Sequence, residues 1–200
     1  LLAGLILEGH RFVSRLDGMW AFVLHDASTD QILLSRDRFG KKPLYYRNHG
    51  KAFACASELP ALKALLPEAS WVEDAAGISD YFRYGYTMPG TTCLVGVSEV
   101  LPAHYLIRTA AGRLIQERYW LPSTEPWHGS FDQAANEVRE RLAAAVANRQ
   151  LAADVEVGAF LSGGVDSTVV CALAQGAGFG RLRTFTAGFA EPTYDERSHA

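Results

Sequence analysis

Apolar and polar residues alternate along the first half of the chain and give way to helical spacing in the second. Met19–Asp26 and Gln31–Arg36 are separated by Ala27-Ser28-Thr29-Asp30, a pattern that predicts two strands joined by a turn. Leu44–Arg47 and Lys51–Ala56 predict a hairpin about Asn48-His49-Gly50. Val97–Arg108 and Arg113–Trp120 flank Ala110-Ala111-Gly112 and predict another. Short helical patterns lie among these strands. Leu1–Phe12 reads as the tail of a helix with Leu2, Leu5 and Ile6 on one face and Gly9 as its stop, and Arg15–Gly18 reads as a turn. Ser57 is placed to cap a helix holding Leu59, Leu62, Leu65 and Leu66. Asp74 is placed to cap Ala75–Tyr84, with Ile78, Tyr81 and Phe82 inward and Gly85 ending it.

Leu121–Gly129 carries two prolines and reads as a linker. Ser130-x-x-Gln133 then forms a capping box for a long helix whose stripe is Phe131, Ala135, Val138, Leu142, Ala145 and Val146. About twenty residues at 1.5 Å each give a rod of roughly 30 Å, long enough to flank a parallel sheet. Val155–Leu161 is β-branched and apolar and predicts a buried strand. Thr168–Gln175 predicts a helix stopped by Gly176, and Arg181–Phe189 a second, parallel strand reached through a right-handed crossover.

Composition narrows the setting. Of 200 residues 48% are apolar and 20% charged, enough for a real core in a soluble protein. A net charge of −3, with no basic run, gives no nucleic-acid footprint. Cys55, Cys93 and Cys171 have neither metal nor disulfide spacing, so they read as packing residues in a reducing cytoplasm. The six histidines show no metal spacing either. No apolar run is long enough for a bilayer span. The chain opens on Leu1 and closes at Ala200 within what looks like the first turn of a helix, Tyr194–Ala200, which reads as an internal part of a longer protein.

The chemistry concentrates between the second-half strand and helix, in Ser162-Gly163-Gly164-Val165-Asp166-Ser167. Glycines let backbone N–H groups approach an anion, and a helix N-terminus adds free donors and partial positive charge. Ser162 and Ser167 add hydroxyls. Asp166 has the wrong sign for phosphate unless magnesium stands between them. The order is not that of the Walker loop, which needs a Lys after its second glycine. The bland reading is a tight turn in which the glycines only relieve strain. In open parallel sheets ligands sit at the carboxyl ends of the strands, where both this turn and Ala187-Gly188 fall. The charged run Arg36-Asp37-Arg38 reads as structural, its Asp satisfying loop backbone and pairing charge at a strand exit.

Ser-Gly-Gly-x-Asp-Ser after an apolar strand resembles the pyrophosphate loop of ATP pyrophosphatases. Arg15-Leu16-Asp17-Gly18-Met19-Trp20-Ala21-Phe22 and Arg36-Asp37-Arg38-Phe39-Gly40-Lys41-Lys42-Pro43-Leu44-Tyr45-Tyr46 resemble the second half of a glutamine amidotransferase domain. Together, in that order, they resemble the glutamine-hydrolysing asparagine synthetase family. The resemblance implies an α+β then α/β fold. The second half of an N-terminal-nucleophile αββα glutaminase sandwich and inter-domain hairpin (1–120) precedes a linker (121–129) and the start of a parallel-sheet ATP pyrophosphatase domain (130–200).

The resemblance further implies ATP and Mg2+. Pyrophosphate falls to Ser162, Gly163, Gly164 and Ser167, the metal to Asp166, and the nucleoside to backbone groups of Leu161 and Ala187. Glutamine and aspartate, or another carboxylate acceptor, are the implied substrates, and a homodimer stays open. For Tyr194-Asp195-Glu196, capping of the next turn and substrate contact both stay open. The family's glutaminase Cys uses its own α-amino group as base. The resemblance puts that Cys, with the glutamine-binding residues, before Leu1, so no glutaminase catalytic residue is expected in this chain. It puts the later catalytic acid and a second metal ligand after Ala200. Two rival readings are a family member with another acceptor, of β-lactam synthetase or peptide cyclase type, and a non-catalytic nucleotide-binding relic.

Overall fold

The structure, a computed structural model, describes residues 1–49, 52–178, 180–191, 193 and 195–199. Gly50 and Lys51 of the first hairpin, and Tyr194 and Ala200 of the expected final turn, lie outside the described residues. Two compact units, Leu1–Ser123 and Thr124–Ala200, are described in turn.

In the first unit, β1 (Ala21–Asp26) pairs antiparallel with β2 (Gln31–Arg36) from Ala21↔Arg36 to Asp26↔Gln31. β3 (Tyr45–His49) and β4 (Ala52–Ala56) form the predicted hairpin. β5 (Val97–Glu99), β6 (His104–Arg108) and β7 (Leu114–Arg118) complete two sheets, ordered β1-β2-β6-β7 and β4-β3-β5. Strand period decides which core each residue joins. Leu33, Tyr105 and Ile107 point to one face, against Leu5, Phe12 and Val13 of the N-terminal helical segment. Their neighbours Leu34 and Leu106 point to the other, against Leu44, Val100, Tyr46 and Phe53. Tyr45 and Ala54 turn to the far side of the second sheet and meet Leu59 and Leu62 of α2 (Leu59–Leu65) and Leu66 just after it. The unit is therefore layered helix, sheet, sheet, helix.

Several elements depart from the sequence expectation. The expected strand Val97–Arg108 is two strands in different sheets, β5 on β3 and β6 between β2 and β7. Pro102 has no N–H to give a ladder, and Ala103 sits at φ 60, so the chain leaves one sheet and enters the other there. Ser57 does not cap α2, whose N-cap is Glu58, with Pro60 fixing the first turn. Helix α1 (Leu2–Glu8) ends at Gly9, φ 63, but continues as a 3-10 helix to Arg15, and only Leu5 of its expected stripe is buried.

Helix α3 (Ala75–Tyr84) has the predicted bounds. Asp74 accepts from the Ala76 N–H at 2.9 Å, and Gly85 closes the helix in the left-handed conformation. Its buried position is Gly77, while Tyr81 and Phe82 are exposed. A Cβ on Gly77 would lie 2.3 Å from the Thr92 carbonyl oxygen, so the helix docks backbone to backbone and its aromatic stripe faces outward. Asp74→Ala is expected to lower the first unit's unfolding free energy by about 1 kcal/mol, read from the denaturant midpoint.

Two tyrosines, Tyr105 buried and Tyr119 half-buried, set an alkaline limit for this unit. Burial, reinforced by a hydrogen bond to Glu117, pushes the Tyr105 phenol up to about 12. Burial also raises Tyr119, whose hydroxyl donates to the Arg36 carbonyl at 2.7 Å. Unfolded tyrosine ionises near 10. Above that pH the unfolded chain releases protons that the folded one keeps, so stability is full below about 10 and falls as pH rises toward the folded values. Tyrosinate absorbance should show three late-titrating groups, Tyr45 being raised by burial as well, that become normal on denaturation.

In the second unit, Ser130 and Gln133 form the predicted capping box. The Gln133 N–H donates to Ser130 Oγ at 3.2 Å, and the Ser130 N–H to Gln133 Oε1 at 2.8 Å. It opens α4 (Phe131–Leu151), of which Phe131 and Val138 are exposed and Val146 is buried. The C-terminal half of α4 packs on α5 (Val165–Gly176), where Gln150 Nε2 donates to the Ala174 carbonyl at 3.2 Å. β8 (Gly158–Phe160) and β9 (Arg183–Phe185) pair parallel, Gly158↔Arg183 to Phe160↔Phe185. Both are shorter than predicted. β8 is not buried either: Phe160 is 85% exposed, because β9 is its one strand neighbour among the described residues and one face stays uncovered. Among the described residues no helix is long and apolar enough to cross a membrane.

Candidate functional site

Beyond β8 the pairing with β9 continues for one residue. The Leu161 N–H donates to the Phe185 carbonyl at 2.9 Å, and the Leu161 carbonyl accepts from Thr186 Oγ1 at 2.7 Å. The chain then turns sharply. Gly163 takes φ 77, a left-handed value that favours glycine. Gly164 is the N-cap of α5, in extended conformation, and Val165 opens the helix. Ser167 ties the turn together: its Oγ donates to the Gly164 carbonyl at 3.1 Å, accepts from the Ser162 N–H at 3.3 Å and lies 3.1 Å from Ser162 Oγ. Asp166 sits exposed in the first helical turn. The turn thus gathers two hydroxyls, one carboxylate and the first amides of a helix, which lack intrahelical acceptors.

Thr186-Ala187-Gly188 leaves the same end of β9, with Ala187 and Gly188 exposed. A third segment lies against both turns. A Cβ on Gly163 would meet the His199 carbonyl oxygen at 2.6 Å, and one on Gly188 would meet Arg197 Cδ at 2.8 Å. Arg197 grips Asp195 through Nε at 2.8 Å and Nη2 at 2.7 Å, which holds that carboxyl down to about 2. Asp195 also accepts from the Arg197 N–H at 3.3 Å, a cap on the turn that follows. Leu161, Ser162, Gly163, Gly164, Asp166 and Ser167 therefore share one turn, with Ala187 on the neighbouring strand end. Thr186, Arg197 and His199 were not foreseen. Only the Tyr194-Asp195-Glu196 pattern pointed near them, and Tyr194 lies outside the described residues.

Arg36-Asp37-Arg38 is structural. Asp37 is 1% exposed and accepts the N–H groups of Phe39 at 3.1 Å and of Lys41 and Lys42 at 3.0 Å. Arg36 donates to the carbonyls of Gly40, Lys42 and Val100, each at 2.8 Å. Its charge partner is Glu99 at 2.8 Å rather than the adjacent Asp37, since β5 lies beside the loop. Among the described residues no His, Cys, Asp and Glu cluster could hold a metal.

The donor set of the glycine turn fits a magnesium–diphosphate pair. Hydroxyl and carboxylate oxygens are hard ligands, and the amides that open α5 lack intrahelical acceptors.

Comparisons with known proteins agree with this division. Residues 1–120 match the family model described as glutamine amidotransferase domain, and residues 137–200 match the one described as asparagine synthase. Asparagine synthetase [glutamine-hydrolyzing] 3 of Bacillus subtilis is 38% identical over 82% of this chain and 26% of its own length. Amidase chry2 of Gibberella zeae is 37% identical over 84% of this chain and 25% of its own. A putative asparagine synthetase [glutamine-hydrolyzing] of Mycobacterium tuberculosis is 36% identical over 98% of this chain and 31% of its own. The chain thus spans roughly a quarter to a third of the length of these relatives. Over its first 120 residues it belongs to the glutamine amidotransferase domain family. With the asparagine synthase segment that follows, the chain belongs to the glutamine-hydrolysing asparagine synthetase family.

Proposed function

We propose that this chain is part of an ATP-dependent amide-forming synthetase that adenylates the side-chain carboxylate of aspartate and amidates it with ammonia from glutamine. The left-handed Gly163 turn between β8 and α5 carries the reading. In it, Ser162, Gly163, Gly164 and Ser167 hold the pyrophosphate of ATP, and Asp166 holds magnesium. Leu161 and Ala187 meet the nucleoside through their backbones. Both Leu161 backbone groups are engaged, so its carbonyl would use its second lone pair. Bound magnesium neutralises charge that develops on the leaving pyrophosphate. The protein's own share is fixed donors at that position, which need no reorganisation as charge forms. Residues 1–120 form the amidotransferase part, 121–129 the linker and 130–200 the synthetase part. Three free thiols support a reducing cytoplasm.

A different acceptor is the second reading, favoured because two relatives are named amidases rather than asparagine synthetases. ATP–pyrophosphate exchange by the intact protein separates the cases. Exchange that depends on aspartate supports the first, and exchange with another acid but not aspartate the second. No exchange with any carboxylate leaves a nucleotide-binding relic. Cys directly after the initiator Met of the intact protein is the expected mark of glutamine use.

A further inference from the structure

A cleft of about 400 Å³ opens in the first unit between α2 and α3. Leu59, Ile78 and Leu94 form its apolar walls, and Lys63, Glu73 and Cys93 also line it. Lys63 and Glu73 carry opposite charges yet form no ion pair with each other, so a gap separates them within one cleft. The cationic end is reinforced. Lys63 Nζ lies 5.8 Å from the centre of the Trp71 ring, and the Arg47 guanidinium lies 4.5 Å from the same ring. Arg47 is 8% exposed, and its buried Nη1 has no hydrogen-bond partner among the described residues. A buried guanidinium nitrogen left without an acceptor leaves the positive charge beside Trp71 incompletely compensated.

We propose that this cleft binds a free α-amino acid with an apolar side chain. The carboxylate meets Lys63, with the positive field of Arg47 behind it, and the ammonium meets Glu73. The side chain lies on Leu59, Ile78 and Leu94. Each charge of the zwitterion then finds the opposite charge that the cleft offers unpaired, and the volume falls in the range of small-molecule sites. Nothing in this assignment depends on the ATP reaction.

Cys93 in the wall gives a readout separate from catalysis. In the intact protein, peptide mapping would follow alkylation of Cys93 by a maleimide while leucine is titrated in. Millimolar leucine should slow Cys93 alkylation by about tenfold, since such pockets bury most of a bound ligand, with a saturable change in tryptophan fluorescence. 4-Methylpentanoate, which lacks the amine, and isoamylamine, which lacks the carboxylate, should protect far less. Lys63→Gln and Glu73→Gln change cleft-lining side chains outside any ion pair, and each should abolish protection while leaving the unfolding midpoint in place. The proposal is overturned if leucine gives no protection, or if either variant is protected as fully as the parent. Equal protection by glutamine and asparagine would overturn the apolar side-chain assignment.

Discussion

Asp166→Ala in the intact protein is expected to lower aspartate-dependent ATP–pyrophosphate exchange by at least about a hundredfold, the scale on which loss of one charge-stabilising group acts. The substitution should leave the fold intact. Asp166 is exposed in the first turn of α5, and its contribution there as an acid near a helix N-terminus is only about 0.3–1 kcal/mol. Lost exchange with an unchanged unfolding midpoint therefore marks a group that acts on the ligand. Gly163→Ala should also lose exchange, by a different route. At φ 77 a side chain costs about 1–2 kcal/mol, and its Cβ would collide with the His199 carbonyl, so the turn itself must move. Exchange at the parental rate in Asp166→Ala would remove magnesium binding from that residue, and parental exchange in Gly163→Ala as well would remove the assignment of the turn. Exchange lost in Gly163→Ala but kept in Asp166→Ala would leave a phosphate turn that recruits its metal elsewhere.

What the sequence made legible follows from where local chemistry decides the outcome. Asp74 and Gly85 bound α3, and Ser130 with Gln133 opens α4, because a cap is a contact across two or three residues. The Ser162–Ser167 turn was legible for the same reason. How much of each helix face is buried was not. Gly77 of α3 faces inward instead of Phe82, and of the predicted α4 stripe Val146 is buried while Phe131 and Val138 are exposed, because the partner surface selects the face. At Gly77 that partner is the backbone of Thr92, to which hydrophobic periodicity is blind. The break between β5 and β6 was missed although Pro102 marks it, since the apolar pattern runs on through Val100 and Leu101. Thr186, Arg197 and His199 come to the turn by strand pairing and tertiary contact, which no spacing encodes.

The second large effect concerns a carboxylate that touches no ligand. Asp37→Ala is expected to destabilise the first unit by about 3 kcal/mol or more, since a hydrogen bond to a charged group contributes about 1.5–3 kcal/mol and the buried carboxylate accepts three. The donors are the N–H groups of Phe39, Lys41 and Lys42, two on Oδ1 and one on Oδ2. The damage would spread, because Arg36 binds the carbonyls of Gly40 and Lys42 in the same loop while paired with Glu99. A loop that loosens on one side strains a buried ion pair on the other, and such pairs stabilise only with every hydrogen bond in place. Asp37→Asn keeps one acceptor oxygen but turns an NH2 toward a backbone donor, so it should fall between parent and Ala. Trp20, stacked on Tyr119 beside the loop, reports unfolding of this unit by fluorescence. A midpoint shift worth less than about 1 kcal/mol in Asp37→Ala, within the range of ordinary substitutions, would mean that water replaces the carboxylate and that Arg36 with Glu99 alone fixes the loop.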